Sequence, residues 1–425
     1  MSRNSRFALL GCSALAGSIA IAVPPKVEQK VTGPVATYWM SVGTSTGMTA
    51  GMMGGGGRPA MGDIMRMMRG GGGQPQHSLT LQLGSAQKAA DPAADHLPGT
   101  LPSLPLVTPK IAPAAPAPAE TVEDQPTMTE RPRGRMLLFW GCGEHAGPGQ
   151  PYVIDFSKIG PGQPLPHFPF VPVHHQNPPS AGRYATYGEW PNGRSRQAPP
   201  PSLAGEHRVH GNYSPDIRFT LPQSRDYMAP LVIDTSRKTA SGATLLSWQP
   251  LSGATGYFAT FMGASANGRD DATIVMWSSS GIDTFAGGGL LDYLAPAEVR
   301  RLIAQKVVLP PNQAQCAIPA EATAAAPMGM VSMIAYGEEA DFADPPRPAD
   351  PRTPWNISWT VKVRYKSTAG TMLGMPQMGG MGAMSRSDDG EGAPAQQQPG
   401  EPKKKKGGLF GKLKDAAEAA GAIPH

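Results

Sequence analysis

The chain has few of the features by which an enzyme or a nucleic-acid-binding protein is usually identified. Of its 425 residues, 16% are charged and 7% are aromatic. The net charge of +5 comes from the two ends: Arg3 and Arg6 contribute two positive charges, and six lysines with three acidic residues from Glu401 onward contribute three more. Residues 23–400 are therefore neutral overall, which excludes a broad basic face for nucleic acid. We expect no nucleic-acid partner.

Long hydrophobic runs are absent after residue 23, which argues against further membrane-spanning helices. The single apolar run, Phe7–Val23, follows two arginines and ends in small residues, as a cleavable signal peptide over residues 1–22 does. Two alternatives are a retained N-terminal membrane anchor and a lipoprotein, because Leu9–Cys12 resembles a lipobox. All three alternatives predict an exported protein, periplasmic or otherwise outside the cytoplasm.

Cysteine is scarce, with three in the chain, and Cys12 lies in the leader. Two thiols in an oxidising compartment predict one disulfide, between Cys142 and Cys316, and two separate buried thiols are the alternative. Cys142 also lies close to Glu144 and His145. An enzyme using Cys142 and His145 is therefore a hypothesis, but neighbouring residues on a turn rarely face one another. Because no complete catalytic motif is present, we assign no catalytic residue and expect a non-enzymatic protein.

Glycine and proline are abundant, at 52 and 47 residues, and they accompany an unusual use of methionine. The first methionine tract, residues 44–73, contains Met48, Met52, Met53, Met61, Met65, Met67 and Met68. The second methionine tract reads MLGMPQMGGMGAM and places a methionine at every third position: Met372, Met375, Met378, Met381 and Met384. Thioethers are soft ligands, so these five residues predict a Cu(I) site. The alternative is a low-complexity linker with flexible apolar side chains. No other cofactor is expected.

Hydrophobic patterning predicts strands through most of the remaining chain. Residues 136–140 form a continuous apolar run, which is typical of a strand covered on both faces. Apolar and polar residues alternate strictly over residues 357–366, which predicts a strand with one core face and one solvent-exposed face. The exposed face would carry Lys362, Arg364 and Lys366, and residues 331–336 are the predicted neighbouring strand. One helix is predicted near residues 296–305, because Pro296 suits a first helical turn.

The run LLSWQPLSGATGYFATF, residues 245–261, predicts two strands joined by a turn, with Trp248 and Tyr257 on either side of that turn. It resembles the early strands of a fibronectin type III-like module, in which a core tryptophan and a tyrosine flank the first turn. Residues 137–140 followed by Tyr152 show the same pattern less clearly. With the strand patterning, the resemblance implies an all-β, mainly antiparallel fold with one or two immunoglobulin/fibronectin-III-like β-sandwich domains and one short helix. We expect the Met/Gly-rich tracts and the C-terminal extension to be disordered.

Composition divides the chain into seven segments. We expect a signal peptide (1–22), strands interrupted by the first methionine tract (23–108), an Ala/Pro linker (109–132), a β domain with proline-rich loops (133–235), a sandwich-like domain (236–370), a Met/Gly-rich and basic disordered linker (371–408) and a short amphipathic helix (409–425).

Two further features suggest contacts with ligands or partners. Six of the nine histidines lie between residues 145 and 210, and His207 with His210 forms an H-x-x-H pattern, which we interpret as polar loop residues. The C-terminal segment joins a lysine run, 403–406, to an apolar stripe of Leu409, Phe410 and Leu413. A basic amphipathic helix of this kind predicts contact with a membrane surface or with an envelope protein.

Overall fold

The structure is a computed structural model of the chain and describes residues 28–53, 74–99, 101–109, 134–159, 171–192, 197–266, 272–284 and 289–374. The leader, residues 110–133 and the segments 375–408 and 409–425 lie outside these ranges. Strands make up 46% of the structure and helices 9%, so the predicted all-β class is confirmed.

The described strands are numbered along the chain. They are β1 (Val31–Thr32), β2 (Ala36–Thr46), β3 (Gln76–Ser85), β4 (Ala94–Pro98), β5 (Leu104–Leu106), β6 (Gly134–Trp140), β7 (Tyr152–Asp155), β8 (Thr186–Trp190), β9 (Gly205–Gly211), β10 (Ile217–Leu221), β11 (Asp234–Lys238), β12 (Thr244–Ser247), β13 (Ala254–Ala266), β14 (Ala272–Ser278), β15 (Gln315–Ile318), β16 (Gly329–Asp344), β17 (Trp355–Asn356) and β18 (Trp359–Leu373).

Nine of these strands form one central sheet in the order β7-β6-β14-β13-β16-β18-β2-β3-β8. Most neighbouring strands are antiparallel, but β6 runs parallel to β14 and β2 runs parallel to β18. The predicted pairing of residues 331–336 with the strictly alternating strand is confirmed by the β16–β18 ladder. The central sheet therefore takes strands from three of the segments expected from composition.

Two smaller sheets lie against one face of the central sheet, which we call its inner face. The four-stranded sheet has the order β10-β9-β4-β5, and the three-stranded sheet has the order β11-β12-β15. Side chains from both sheets join one continuous apolar cluster with the central strands; examples are Phe219 and Leu246 packed with Tyr38, Val361 and Phe261. The main core therefore lies between the central sheet and these two layers.

The opposite, outer face of the central sheet is covered in its middle part. Helix α2 (Pro296–Ala304) and the residues around it pack over Phe258 and Ile334 in a second apolar cluster. This helix is the one predicted near residues 296–305. The structure adds two short helices that the sequence analysis did not predict, α1 (Gly47–Met53) and α3 (Ala320–Ala325). Helix α1 and the end of β2 occupy the start of the first methionine tract, which was expected to be disordered.

The expectation of a wet face on β18 is wrong for two of its three cations. Arg364 and Lys366 are each only 8% exposed. The Arg364 guanidinium lies 4.4 Å from the Tyr293 ring and 5.2 Å from the Trp39 ring, while Lys366 lies 3.2 Å from Asp292. The Trp39 side chain, from the neighbouring strand β2, and Tyr293, which precedes α2, cover the Arg364 and Lys366 side chains. At these two positions the alternation therefore separates two buried faces and not a buried face from a solvent-exposed one.

A chain of buried polar side chains links the central sheet to the four-stranded sheet. The Tyr38 hydroxyl lies 2.8 Å from His96 Nδ1, His96 Nε2 lies 3.1 Å from His207 Nδ1, and His207 Nε2 lies 2.6 Å from the Leu203 carbonyl. Because a carbonyl only accepts, His207 Nε2 must donate to it. Burial lowers the pKa of both imidazoles, which favours their neutral forms. With both rings neutral, His96 Nε2 donates to His207 Nδ1, and Tyr38 donates to His96 Nδ1.

Stability should fall in mild acid because of these two histidines. Burial lowers the pKa of His96 well below its usual value, with His207 adding to the effect, and burial also lowers the pKa of His207. A lowered pKa in the folded state means that only the unfolded chain takes up these protons at first. Stability is then greatest above about pH 6.5 and decreases below it, by at most about 1.4 kcal/mol per histidine at one pH unit lower.

Urea unfolding between neutral pH and pH 5.5 tests this expectation. His96→Gln removes one titrating ring, so it should roughly halve the acid-dependent loss that the pair contributes. His210→Gln is the matched control, because His210 lies on the same strand β9 with its side chain 60% exposed. If the unfolding free energy of the His96→Gln variant falls as steeply with acid as that of the parent, the assignment is wrong.

Candidate functional site

The methionines predicted to bind metal fall partly within the described residues. Met372 lies in β18, next to the last residue of that strand, whereas Met375, Met378, Met381 and Met384 lie outside the described residues. In the first methionine tract, Met48 lies in α1 and residues 54–73 are outside the described ranges. The structure therefore fixes where each methionine tract begins.

Both methionine tracts begin at the same end of two neighbouring strands of the central sheet. Strands β2 and β18 are parallel neighbours, paired from Ala36 beside Trp359 to Thr46 beside Ala369. The pairing continues as a bridge between Gly47 and Gly370. Because the two strands run in the same direction, the chain leaves both of them at one end. Two methionine-rich segments far apart in the sequence thus start side by side.

Four methionines form a row across the outer face at that end of the sheet. Met276 of β14 pairs with Met262 of β13, Met262 pairs with Met330 of β16, and Met330 pairs with Met372 of β18. Directly paired residues share a face, and successive residues of a strand alternate between faces. The neighbours Phe261, Val331 and Trp277 belong to the main core on the inner face. We call these four residues the methionine row; each is partly exposed.

Two glycines on the inner face fix the register that aligns the row. A Cβ on Gly263 would lie 2.8 Å from the Phe261 ring, and a Cβ on Gly329 would also collide with that ring. The Phe261 ring therefore occupies the space above both glycines, which face each other across β13 and β16. A slip by one residue would force a side chain into this space and would move the methionines to the other face.

Helix α1 lies beside one end of the row. A Cβ on Gly370 would come within 2.7 Å of Thr49 Cγ2, so α1 rests on the outer face above Gly370. Met372 is two residues further along the same face of β18. Met328, which is 53% exposed, contacts the turn at Gly374, where β18 ends. Methionines from the sheet and from the adjoining turn are thus gathered where the two tracts begin.

The two cysteines are joined to each other in the structure. Cys142 and Cys316 form a disulfide with their Cα atoms 4.7 Å apart. Cys142 follows β6 of the central sheet, and Cys316 lies in β15 of the three-stranded sheet, so the bond links these two layers. His145 interacts with Glu321, its Nδ1 lying 3.1 Å from Oε1. With its sulfur bonded to Cys316, Cys142 offers no nucleophile, and a Cys142/His145 active site is not assembled.

The histidines are dispersed. His207 is buried and hydrogen-bonded to His96, in the series that begins at Tyr38. His210 is exposed, with its Nδ1 lying 2.5 Å from Asp216 Oδ1, so the two histidines of the H-x-x-H pattern point to opposite faces of β9. His174 contacts Glu298 at 2.9 Å. His167 lies outside the described residues. Within the described ranges, no group of three or more His, Cys, Asp or Glu side chains is arranged to hold a metal ion.

The membrane-contact prediction lies outside the described residues, because Leu409, Phe410 and Leu413 belong to the C-terminal segment. Among the helices of the described ranges, none has the length and apolar character required to cross a bilayer.

The methionine row could not be found by searching for a local motif, because each of its residues comes from a different strand. The signal that existed was positional. Met262 directly follows the predicted run 245–261, and Met330 directly precedes the predicted strand 331–336. Only the register of four strands shows that these positions meet.

Comparison of the chain with protein-family models, with curated proteins and with solved structures finds no match in any of the three. The function proposed for the protein therefore rests on the geometry of the site itself.

Removing the disulfide should destabilise the protein, because the bond closes a loop of 174 residues and joins two layers. We expect the double variant Cys142→Ala/Cys316→Ala to lose about 2–5 kcal/mol of unfolding free energy, measured by urea unfolding. Treating the parent protein with a thiol reductant should give a similar loss and should leave the variant unaffected. Rapid alkylation of both cysteines in the native, unreduced protein would show that the bond is absent.

Proposed function

We propose that this protein is an exported, non-enzymatic binding protein of the cell envelope and that its ligand is Cu(I). The observation that carries the proposal is the common starting point of the two methionine tracts on β2 and β18. The first tract contributes seven methionines and the second five. Their shared origin gives a high local concentration of thioethers, which separate linkers would lack.

The chemistry of methionine suits this role outside the cytoplasm. Thioether sulfur is a soft ligand that selects Cu(I) over harder divalent ions. Unlike cysteine and histidine, it has no proton to lose before it binds a metal. It also forms no disulfide. Methionine is therefore a suitable Cu(I) ligand in an oxidising compartment, where the Cys142–Cys316 pair is used as a structural bond.

The sheet arrangement supports the fibronectin type III-like part of the proposal. Strands β11, β12 and β15 form one layer, and β14, β13, β16 and β18 are consecutive neighbours in the other. The chain crosses between the layers at the turn that follows β12, and Trp248 and Tyr257 meet there with ring centroids 5.5 Å apart. We propose that residues 234–373 form this module and that the remaining strands extend it. Modules of this class bind through edges and loops and require no catalytic residues.

An export route is part of the same proposal. The leader-like residues 1–22 and the disulfide both suit an oxidising compartment, periplasmic or otherwise outside the cytoplasm. The C-terminal segment with Leu409, Phe410 and Leu413 would then add a weak contact with a membrane surface or an envelope protein.

Cu(I) titration of the full chain tests the proposed function. Cu(I) is supplied anaerobically without thiols, so that the disulfide stays intact, and uptake is followed by competition with a chromophoric Cu(I) chelator. Replacing Met375, Met378, Met381 and Met384 by Leu should remove at least one bound Cu(I) per chain, because leucine keeps the volume and lacks the sulfur.

The matched control replaces Met128 and Met333 by Leu, because these residues lie outside both tracts and the methionine row. Uptake should stay at the parental level in this control. A parent chain that takes up no Cu(I) would refute the proposed function. Binding that decreases in the control as much as in the tract variant would also count against it.

A further inference from the structure

We infer that the methionine row, Met276, Met262, Met330 and Met372, is a fixed Cu(I) site on the outer face of the central sheet. This inference takes its metal from the proposed function but places the ion on folded strands and not in the tracts. All four ligands lie within the described residues, and each stands directly opposite the next.

The spacing of strands suits coordination by adjacent methionines. Neighbouring strands lie about 4.8 Å apart, and directly opposed Cβ atoms lie about 4.5–5.5 Å apart. Three sulfurs around one ion with metal–sulfur bonds of about 2.3 Å would be about 4 Å from one another. The outer two of three consecutive members are two strand spacings, about 9.6 Å, apart, so both of their side chains must lean towards the middle strand, which the three rotatable bonds of methionine allow. Three consecutive members of the row can therefore reach one ion.

Packing does not account for sulfur at three of the four positions. The inward neighbours of the row are almost fully buried; Val331 is 0% exposed, and Phe261 and Trp277 are each 1% exposed. Met276 packs against a third apolar cluster of Met136, Leu138 and Ile154, whereas Met262, Met330 and Met372 are partly exposed and belong to no apolar cluster of the described residues. A partly exposed sheet surface is usually served by β-branched or polar side chains. Methionine on β13, β16 and β18 instead presents three adjacent, accessible thioethers.

The backbone beneath the row is held in place. Phe261 over Gly263 and Gly329 fixes the register of β13 against β16, which sets Met262 opposite Met330. At the other end, α1 rests over Gly370 next to Met372. The ligand-bearing strands therefore need little ordering when an ion binds, which favours a higher affinity than a flexible chain of the same ligands would have.

The position of the row also gives it a role relative to the tracts. Met372 is both the last member of the row and the first methionine of the second tract. An ion captured by the tract can pass to the row through a residue that the two share. On this inference the methionines of the tract capture an ion and those of the row retain it.

The test compares two non-overlapping full-chain variants in the anaerobic, thiol-free titration. The row variant carries Met262→Leu, Met276→Leu and Met330→Leu; the tract variant carries Leu at positions 375, 378, 381 and 384. Met333→Leu is the matched control, because Met333 lies on β16 but is 1% exposed on the inner face. We expect the row variant to lose the tightest-bound Cu(I), with an apparent affinity at least about tenfold weaker, while the control stays unchanged.

Two readouts report on the ligands directly. Ag(I), a redox-inert soft ion, should protect Met262, Met276, Met330 and Met372 from peroxide oxidation to the sulfoxide, measured by peptide mass spectrometry. Exposed Met328 serves as the internal reference. Uptake of the tightest Cu(I) should also be the same at neutral pH and at about pH 5, since thioethers do not take up protons. Binding that disappears in acid would assign the ion to histidines and overturn the inference.

The outcomes separate this inference from the proposed function. Loss of tight binding in the row variant, with equal thermal stability, supports the fixed site. Loss in the tract variant alone refutes the fixed site and leaves Cu(I) binding by the tracts standing. No uptake by the parent refutes both. If the row variant loses tight Cu(I) binding and also has a lower melting temperature, Ag(I) protection of the parent protein decides whether the site exists. Row methionines that Ag(I) leaves unprotected in the parent refute the site.

Discussion

The parallel pairing of β2 with β18 is the contact on which the rest of this structure depends. Eleven residue pairs join positions 36–46 to positions 359–369, from opposite ends of the described chain. The pairing sets Tyr38 beside Val361 on the inner face and Trp39 beside Lys362 on the outer face. A shift by one residue would exchange these faces and place the residues of each face in the packing environment of the other.

The same pairing explains why three cations can lie on a covered face. Burying an isolated ion costs several kcal/mol, so each needs a compensating partner. Lys362 has Glu339 and Asp341 at 2.9 and 2.8 Å, and Lys366 has Asp292. Arg364, in the middle, has no carboxylate within ion-pair distance among the described residues. It donates from Nε to Ser41 at 2.8 Å and lies between the rings of Trp39 and Tyr293. A guanidinium is more weakly hydrated than an ammonium and stacks on aromatic faces, so arginine suits this position better than lysine.

Local patterns in the sequence predicted the strands, and they failed where the outcome depended on distant partners. The alternation of residues 357–366 and the apolar run 136–140 correctly indicated β18 and β6, because burial periodicity is a property of the segment itself. The same alternation wrongly left Arg364 and Lys366 in water, since the cover comes from Trp39 and Tyr293. Helix α1 was missed because a Met/Gly sequence has weak helical propensity, and its support at Gly370 comes from β18.

The candidate site was predictable to a similar extent and for the same reason. Spacing by three identified the second tract, and Met372 was included in it as part of a flexible run. Its place in β18 follows from its pairing with Met330, a contact that no window of sequence contains. The partners Met262 and Met276 are separated from Met372 by about a hundred residues and are joined to it only through register. Long-range pairing, and not local composition, decides which thioethers are neighbours.

Placing the proposed metal ligands on paired strands has a thermodynamic consequence. Ordering a flexible segment around an ion costs roughly 1–2 kcal/mol for each residue that loses its backbone freedom. Residues on paired strands have already lost that backbone freedom during folding. The packing of the main core, on the other side of the same strands, offsets this loss of entropy. Val331 and Phe261 therefore stabilise the positions of Met330 and Met262 without touching a ligand. On this argument, the apolar inner face and the methionine-lined outer face are two consequences of a single register.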